Sequence, residues 1–416
     1  MNIVVLVGSY YPNYSAVGIC ARNIVDILKS KHKVTVVANK KTMMDTDFRI
    51  DGVDLKYISS RIIDYQIRLD EKMKQDLSSF RYIYKLGRVC LKLLRFVNIL
   101  ISPVSVRRKF VSAYYKALIS IGERESIDLI LPFVFPVESL VAGYEYHNAF
   151  RQAKIIPVIF DNFVENPSLH RVGINRLLKK KRHVKLLDTI FGVCEKILVM
   201  HTQKSYFTKN HDSVLDKTHF IEHPLLIPPQ YENTKKQGVS FLYTGSFLKG
   251  YVEAGGLISA LTEILEKYDY KVDFFVMGNA LSPITEFVAA FPLQVFNHGC
   301  VAMETALFEM SKADFFLCVA EFSGIQMSSK IFTYMSYGKP IILIYYAEED
   351  INVRILKKYS LFFPLKSDKK GRIDRKDIDS LIRFVERTKS KIISFEDVAM
   401  TYNDALPSTT CDLILS

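Results

Sequence analysis

The feature that most restricts this chain is a strand–helix alternation that runs, stops and restarts. IVVLVG at 3–8 is an apolar, β-branched run of strand length. A loop, SYYPNYSA, leads to a helix beginning near Val17, and KVTVVAN at 33–39 is a second strand. Strand, helix, strand at this spacing is a βαβ unit and predicts a parallel sheet. Further strands are expected in DLILPF (128–133), KIIPVIFD (154–161) and KILVMH (196–201). The proline-rich, polar stretch 222–238 reads as a linker. The pattern then restarts with strands near 241–246, 272–278, 293–299, 314–320 and 341–346, helices lying between them. Two similar halves predict an α/β protein with two doubly wound domains facing a central cleft, ligands lying outside the carboxyl ends of the strands. The expected division is 1–222, a linker at 223–238, a second domain at 239–394, and a terminal helix in 395–416 packing back toward the first half.

Charge is distributed unevenly. The net charge is +12, yet no acidic residue lies between Leu77 and Gly122, where Arg81, Lys85, Arg88, Lys92, Arg95, Arg107, Arg108, Lys109 and Lys116 fall. The first five are spaced by four and three, so on a helix they form one stripe. Ile83, Leu86, Leu93, Leu94, Phe96, Val97 and Leu100 lie between them. A basic stripe beside a wide apolar face is the composition of an interfacial membrane helix, so the segment 81–110 is expected on an anionic membrane surface. The alternative is a surface helix packing its apolar face inward. Arg171, Arg176, Lys179, Lys180, Lys181, Arg182 and Lys185 form a second, weaker basic run. Nucleic acid is not expected as a partner, since no recognition motif accompanies the charge. Six scattered cysteines without a C-x-x-C pair suggest a reducing compartment. No apolar run is long enough to cross a bilayer, and the N-terminus reads as a strand rather than a signal peptide. The expected location is cytoplasmic, peripheral on the inner membrane face.

The candidate ligand positions lie at strand ends. No G-x-G-x-x-G and no G-x-x-x-x-G-K-[ST] occurs, which disfavours a dinucleotide and a P-loop. Gly18, near the start of the first helix, allows close approach to backbone. YTGSFLKG places Gly245, Ser246 and Lys249 after one strand, and SGIQMSSK places Ser328, Ser329 and Lys330 after another. A glycine, hydroxyls and lysines at two such ends suit a diphosphate, with Ser328 or Ser329 capping a helix whose first amides face the ligand. The alternative is a pair of turns with solvated lysines. No metal-ligand spacing is present, so no metal is expected.

In this order the segments resemble GT-B glycosyltransferases, in particular the retaining family-4-type enzymes of bacterial capsule and O-antigen polysaccharide synthesis. SYYPNYSAVGICARNIVDIL resembles their first loop and helix, DLILPFVFPVESLVAGYEY a middle segment, and FLYTGSFLKG the start of their donor domain. HGCVAMETALFEMSKADFFL resembles a further segment, and SSKIFTYMSYGKPII the most specific motif. The resemblance implies two Rossmann-like domains, the second holding a nucleotide sugar, most simply a UDP-sugar, and the first an acceptor. It implies that Gly245, Ser246 and the Ser328–Lys330 mouth bind the donor diphosphate, that Gly299 and Val301 meet the base, and that Gly18 approaches the donor from the first domain. Asp161 matches a position often acidic near the acceptor, and it is expected, with Glu321, to be a catalytic carboxylate.

The chain departs from that pattern in three places. Thr333 stands where a glutamate normally holds ribose hydroxyls, Ile325 stands at its partner position, and Phe133 or Phe135 replaces a histidine. Glu321 is a nearby carboxylate that could substitute, or an ordinary loop residue. His170, His201, His223 and His298 are expected to be structural, with His223 the one closest to a functional position. The implied activity is transfer of a hexosyl or N-acetylhexosaminyl group, with retention, to a hydroxyl of a lipid-linked saccharide. The alternatives are a UDP-sugar epimerase of the same fold and a catalytically inactive partner in polysaccharide assembly.

Overall fold

A computed structural model describes residues 1–12, 15–75, 81–165, 173–234 and 238–416, the side chains of 74, 75 and 81 excepted. The chain divides into two compact units, one made of 1–224 with 407–416 and the other of 225–406.

The first unit carries β1 (Asn2–Leu6), β2 (Lys33–Asn39), β3 (Phe48–Ile50), β4 (Val53–Ile58), β5 (Leu129–Pro132) and β6 (Lys154–Ile155) in one sheet of order β3-β4-β2-β1-β5-β6. All neighbours are parallel except β3 and β4. β1 is buried along its whole length, consistent with a central strand covered on both faces. A second sheet holds β7 (Val158–Ile159), β8 (Ile197–Met200) and β9 (Thr218–Ile221) in order, all parallel. The expected single strand KIIPVIFD is therefore two strands in two sheets. The amide of Ile156 still bonds Ile130, whereas the carbonyl of Pro157 accepts from Leu198 of β8. Proline offers no N–H to continue the first ladder, and the chain changes partners there. The last helix, Pro407–Leu415, packs on helix Ala16–Leu28, with the Cys411 thiol 3.6 Å from the carbonyl of Ile24.

The second unit is one parallel sheet of β10 (Ser240–Phe247), β11 (Lys271–Gly278), β12 (Val295–Asn297), β13 (Phe315–Val319), β14 (Ile341–Tyr345) and β15 (Phe362–Lys366). Its order is β12-β11-β10-β13-β14-β15. In chain order that is 3-2-1-4-5-6, the doubly wound Rossmann arrangement, with the reversal between β10 and β13. The strands are continuous apolar runs (FFLCV, IILIY) because helices cover both faces.

The basic segment is not one helix to residue 110. Helix Arg81–Ile101 ends before Pro103, and a second helix, Arg108–Gly122, begins after it. The second is an ordinary buried helix: Phe110, Val111, Tyr114, Leu118 and Ile121 enter the core, and the Tyr114 hydroxyl donates to the Val7 carbonyl at 2.9 Å. Arg107 and Arg108 are paired with Glu138 and Glu145. Helix Arg81–Ile101 is different, because no described side chain on it is buried. Its main neighbour is helix Arg61–Gln75, where Arg88 forms an ion pair with Asp70 at 3.1 Å. The inward-facing alternative does not hold for its leucines: Leu86, Leu93, Leu94, Val97 and Leu100 are exposed, as are Lys85 and Lys92, while Arg88 and Arg95 are partly covered. The side chain of Arg81 lies outside the described residues. No described helix is long and apolar enough to cross a membrane.

Candidate functional site

In the second unit the site is a fork. β10 and β13 run together only at Phe241↔Phe315 and Leu242↔Phe316 and then separate, as strands do at a reversal point. Side chains of helix Lys330–Ser336 fill the opening. The ammonium of Lys330 donates to the carbonyl of Thr244 at 2.6 Å and lies 4.3 Å from the centre of the Tyr243 ring. The hydroxyl of Tyr334 accepts from the amide of Thr244 at 3.0 Å and lies 3.0 Å from its hydroxyl, while its ring stacks on Phe316. The two polar backbone atoms of Thr244 that the diverging strand leaves without a ladder partner are thus satisfied by the helix.

Gly245 is required here. Its φ of +141° is rare for L side chains, and a Cβ would lie 2.3 Å from the Lys330 ammonium. Burial holds the Lys330 pKa below the usual lysine value. An ammonium has three N–H donors and Thr244 takes one. Ser246 follows on β10, partly exposed.

The loop after β13 is built on Glu321. This residue is buried, not an exposed loop glutamate. Its carboxylate accepts from the Ser323 amide (2.7 Å) and hydroxyl (2.5 Å) and from the amides of Ile325 (2.8 Å) and Gln326 (3.1 Å). Burial alone would raise its pKa, but the bonds from Ser323, Gln326 and Ile325 outweigh that and hold it below the ordinary glutamate value. The loop is joined to the one after β10, where the amide of Phe322 donates to the carbonyl of Tyr251 at 3.1 Å.

The serines behave differently from expectation. Ser329 occupies the cap position but makes no side-chain capping bond, since its φ and ψ of −59° and −25° are helical rather than extended. The Ser328 amide is taken by the side chain of Asn352 at 2.7 Å. Asn352 is in turn held by Asp350, whose carboxylate caps the next helix, Ile351–Leu356. Asn352 and Asp350 were not among the expected residues, although an aspartate before INVRIL is an N-cap signature. Thr333 lies partly exposed one turn into the helix, beside the fully buried Tyr334.

Lys249 is exposed in the loop after β10, its amide bonded to Asn279 at 3.1 Å. Gly299, with φ +68°, and Val301 lie in the loop after β12, and Asn297 accepts the Gly299 amide at 3.0 Å. His298 stacks on Phe275 and bonds Asp273 at 2.8 Å, a structural pairing. The structure therefore brings Gly245, Ser246, Glu321, Ser328, Ser329, Lys330 and Thr333 to one fork, with Lys249, Gly299 and Val301 on the flanking loops of the same sheet edge.

The first unit reverses its strand order between β1 and β5. There a Cβ on Gly8 would lie 2.7 Å from the carbonyl of Phe135. Of the two phenylalanines in place of a histidine, Phe133 is fully buried and Phe135 is 49% exposed. Gly18 is buried at the start of helix Ala16–Leu28, where a Cβ would lie 2.1 Å from the Ser9 carbonyl, so close helix–loop packing accounts for it. Ser15 caps that helix through the Gly18 amide.

Asp161 follows β7 and lines a small pocket with Val134, Gln203, Tyr206 and His211. Although the residue is exposed overall, desolvation raises its carboxyl pKa, and nearby His223 draws it back down. Two residues singled out from the sequence for separate reasons are thus neighbours. His223 stacks on Phe160, 5.1 Å between ring centres. His201 stacks on Phe220, and His170 and Arg171 lie outside the described residues. Among the described residues no group of histidine, cysteine and carboxylate side chains could hold a metal.

No family model matches the chain, and no curated protein does. Solved structures do. Sucrose-phosphate synthase from Thermosynechococcus elongatus superposes with TM-score 0.60 at 12% identity, over 99% of this chain and 98% of that one. Anabaena HepE in complex with UDP and glucose gives 0.57 at 12% identity, over 100% and 98%. UDP-GlcNAc 2-epimerase from Methanocaldococcus jannaschii gives 0.51 at 13% identity, over 100% and 99%. Two Rossmann-like units and full-length likeness to these enzymes give the chain the GT-B fold.

Proposed function

We propose that this chain is a glycosyltransferase that moves a sugar from a nucleotide-sugar donor to a hydroxyl of a lipid-linked saccharide during cell-surface polysaccharide synthesis, of the retaining family-4 type. The observation that carries the reading is the fork between β10 and β13, where an ammonium and a glycine with no Cβ stand at a Rossmann reversal point. The donor diphosphate takes the remaining N–H bonds of Lys330 and lies against Gly245 and Ser246, with Lys249 at the edge. This charge offsets the negative charge that grows on the leaving diphosphate, with no metal required. Gly299 and Val301 border the base, and Thr333 a ribose hydroxyl. UDP is the nucleotide favoured, since HepE is a UDP complex of the same fold. In the first unit, Phe135 supplies an apolar face for a sugar ring and Asp161 a hydroxyl contact. Glu321 acts by holding the donor loop.

The acceptor is lipid-linked because helix Arg81–Ile101 in the same unit leaves its leucines in solvent beside Lys85 and Lys92. That composition fits the cytoplasmic face of an anionic membrane. Arg88 and Arg95 complete the basic side.

The second reading is a UDP-sugar epimerase, which the likeness to UDP-GlcNAc 2-epimerase favours. A third, an inactive assembly partner, has Thr333 as its support. Incubation with UDP-, GDP- and CMP-sugars, with and without membrane extract, separates them. Nucleotide release that rises with lipid extract is expected. Interconversion of sugar epimers without nucleotide release would replace the transferase by the epimerase, and no turnover or thermal shift with any donor would leave only the third.

A further inference from the structure

Helix Gly173–Val193 is built inside out over its first half. Its inward residues there are polar: Asn175, Lys179 and His183, all buried. Its outward residues there are apolar: Ile174 is 70% exposed, Leu177 68% and Leu178 73%. A helix packed only against its own protein shows the reverse pattern. The outward stripe continues at the same spacing with Lys181, Arg182 and Lys185, all exposed. Positions 174, 177, 178, 181, 182 and 185 follow the three-and-four rule for one helix face, so three large apolar side chains are succeeded along one line by three cations.

The polar inner face has a purpose. Lys179 reaches the carbonyl of Ile99, in the last turn of helix Arg81–Ile101, where carbonyls lack helical partners and a cation is favourable. One turn later His183 accepts the amide of Ser105 at 2.9 Å, pinning the segment that follows. The two contacts fix the end of the first exposed helix against the start of the second. Leu100 and Ile101, also exposed, belong to that same end.

We propose that helix Gly173–Val193 is a second membrane-docking element, with Ile174, Leu177 and Leu178 entering the acyl boundary of an anionic bilayer and Lys181, Arg182 and Lys185 meeting its head groups, held in place beside helix Arg81–Ile101 by Lys179 and His183. The inference rests on the membrane-surface reading above. Charge complementarity selects the occupant: a second copy of a basic chain would bring like charges together, whereas anionic lipid meets both the leucines and the cations.

The test is flotation of the full chain with vesicles of phosphatidylcholine alone or mixed with phosphatidylglycerol. Three proteins are compared: the unaltered chain, I174S/L177S/L178S, and L93S/L94S/V97S. The altered residues are exposed, so circular dichroism and the thermal midpoint should not change. The unaltered chain is expected on the anionic vesicles only, and each triple variant is expected to lose binding by about tenfold or more. Binding by I174S/L177S/L178S equal to the unaltered chain, with L93S/L94S/V97S impaired, overturns this inference and leaves the first helix as the sole docking element. Absence of binding by the unaltered chain overturns both. A dimer in sedimentation that I174S/L177S/L178S dissociates, without vesicle binding, assigns the face to self-association and overturns the proposal.

Discussion

The two strand-order reversals have the same topology and opposite contents. Between β10 and β13 the opening holds an ammonium, a tyrosine hydroxyl and a glycine at positive φ. Between β1 and β5 the opening is closed by backbone against backbone, Gly8 on Phe135 and Pro136, with an aromatic ring left facing out. On the proposed function, the first takes the charged diphosphate and the second a neutral ring. A shared fold dictates where a ligand can lie, and a handful of side chains at each reversal dictates what it can be.

The strongest way to break this contrast is Lys330→Met. Donor turnover should fall about 10²-fold in kcat/KM, the scale of losing one preorganised charge contact. A fall of less than about threefold, read by nucleotide release, would remove the ammonium from the site. Gly245→Ala should come next. Its Cβ would press on the ammonium and impose an unfavourable φ, costing about 1–3 kcal/mol of stability and roughly tenfold in donor affinity. Denaturant unfolding and nucleotide titration read the two effects separately.

Phe135→Ala sharpens the other half. It should raise the acceptor KM about five- to tenfold while slow donor hydrolysis stays unchanged, since an aromatic face contributes on the order of 1 kcal/mol. Equal loss in both would mean that Phe135 serves the fold rather than the acceptor. The last test, Glu321→Gln, is read in stability and should leave turnover least changed. Charged hydrogen bonds of this kind are worth roughly 1.5–3 kcal/mol, so the thermal midpoint should drop by a few degrees at neutral pH. The folded pKa is depressed, so this stabilisation is complete above the unfolded glutamate value of about 4.3 and is lost as pH falls through the lower folded value. The gap between the two proteins should therefore close in acid, and a gap independent of pH would show that the carboxylate charge is not what holds the loop.

Periodicity made most of the framework legible. Continuous apolar runs such as FFLCV and IILIY are strands because both sheet faces are covered, and nothing else explains such runs between charged helices. What escaped was pairing. KIIPVIFD reads as one strand, and only the hydrogen bonds of Ile156 and Pro157 reveal two sheets. At the fork, Lys330 and Gly245 were legible as residues, but the stitching of Thr244 by Tyr334 depends on where β10 leaves β13. Asn352, held by Asp350, reaches the Ser328 amide from more than twenty positions away, which no local pattern encodes. The leucines of helix Gly173–Val193 were hidden by its lysines, since a basic run draws attention to charge rather than to which face carries it.

The terminal helix has a consequence for how the protein is made. Residues 407–416 belong to the first unit, and 225–406 form the second in between. A chain emerging from the ribosome usually completes its domains in the order of their beginnings. Here the second unit is complete first, while helix Ala16–Leu28 waits for a partner that is synthesised only after it.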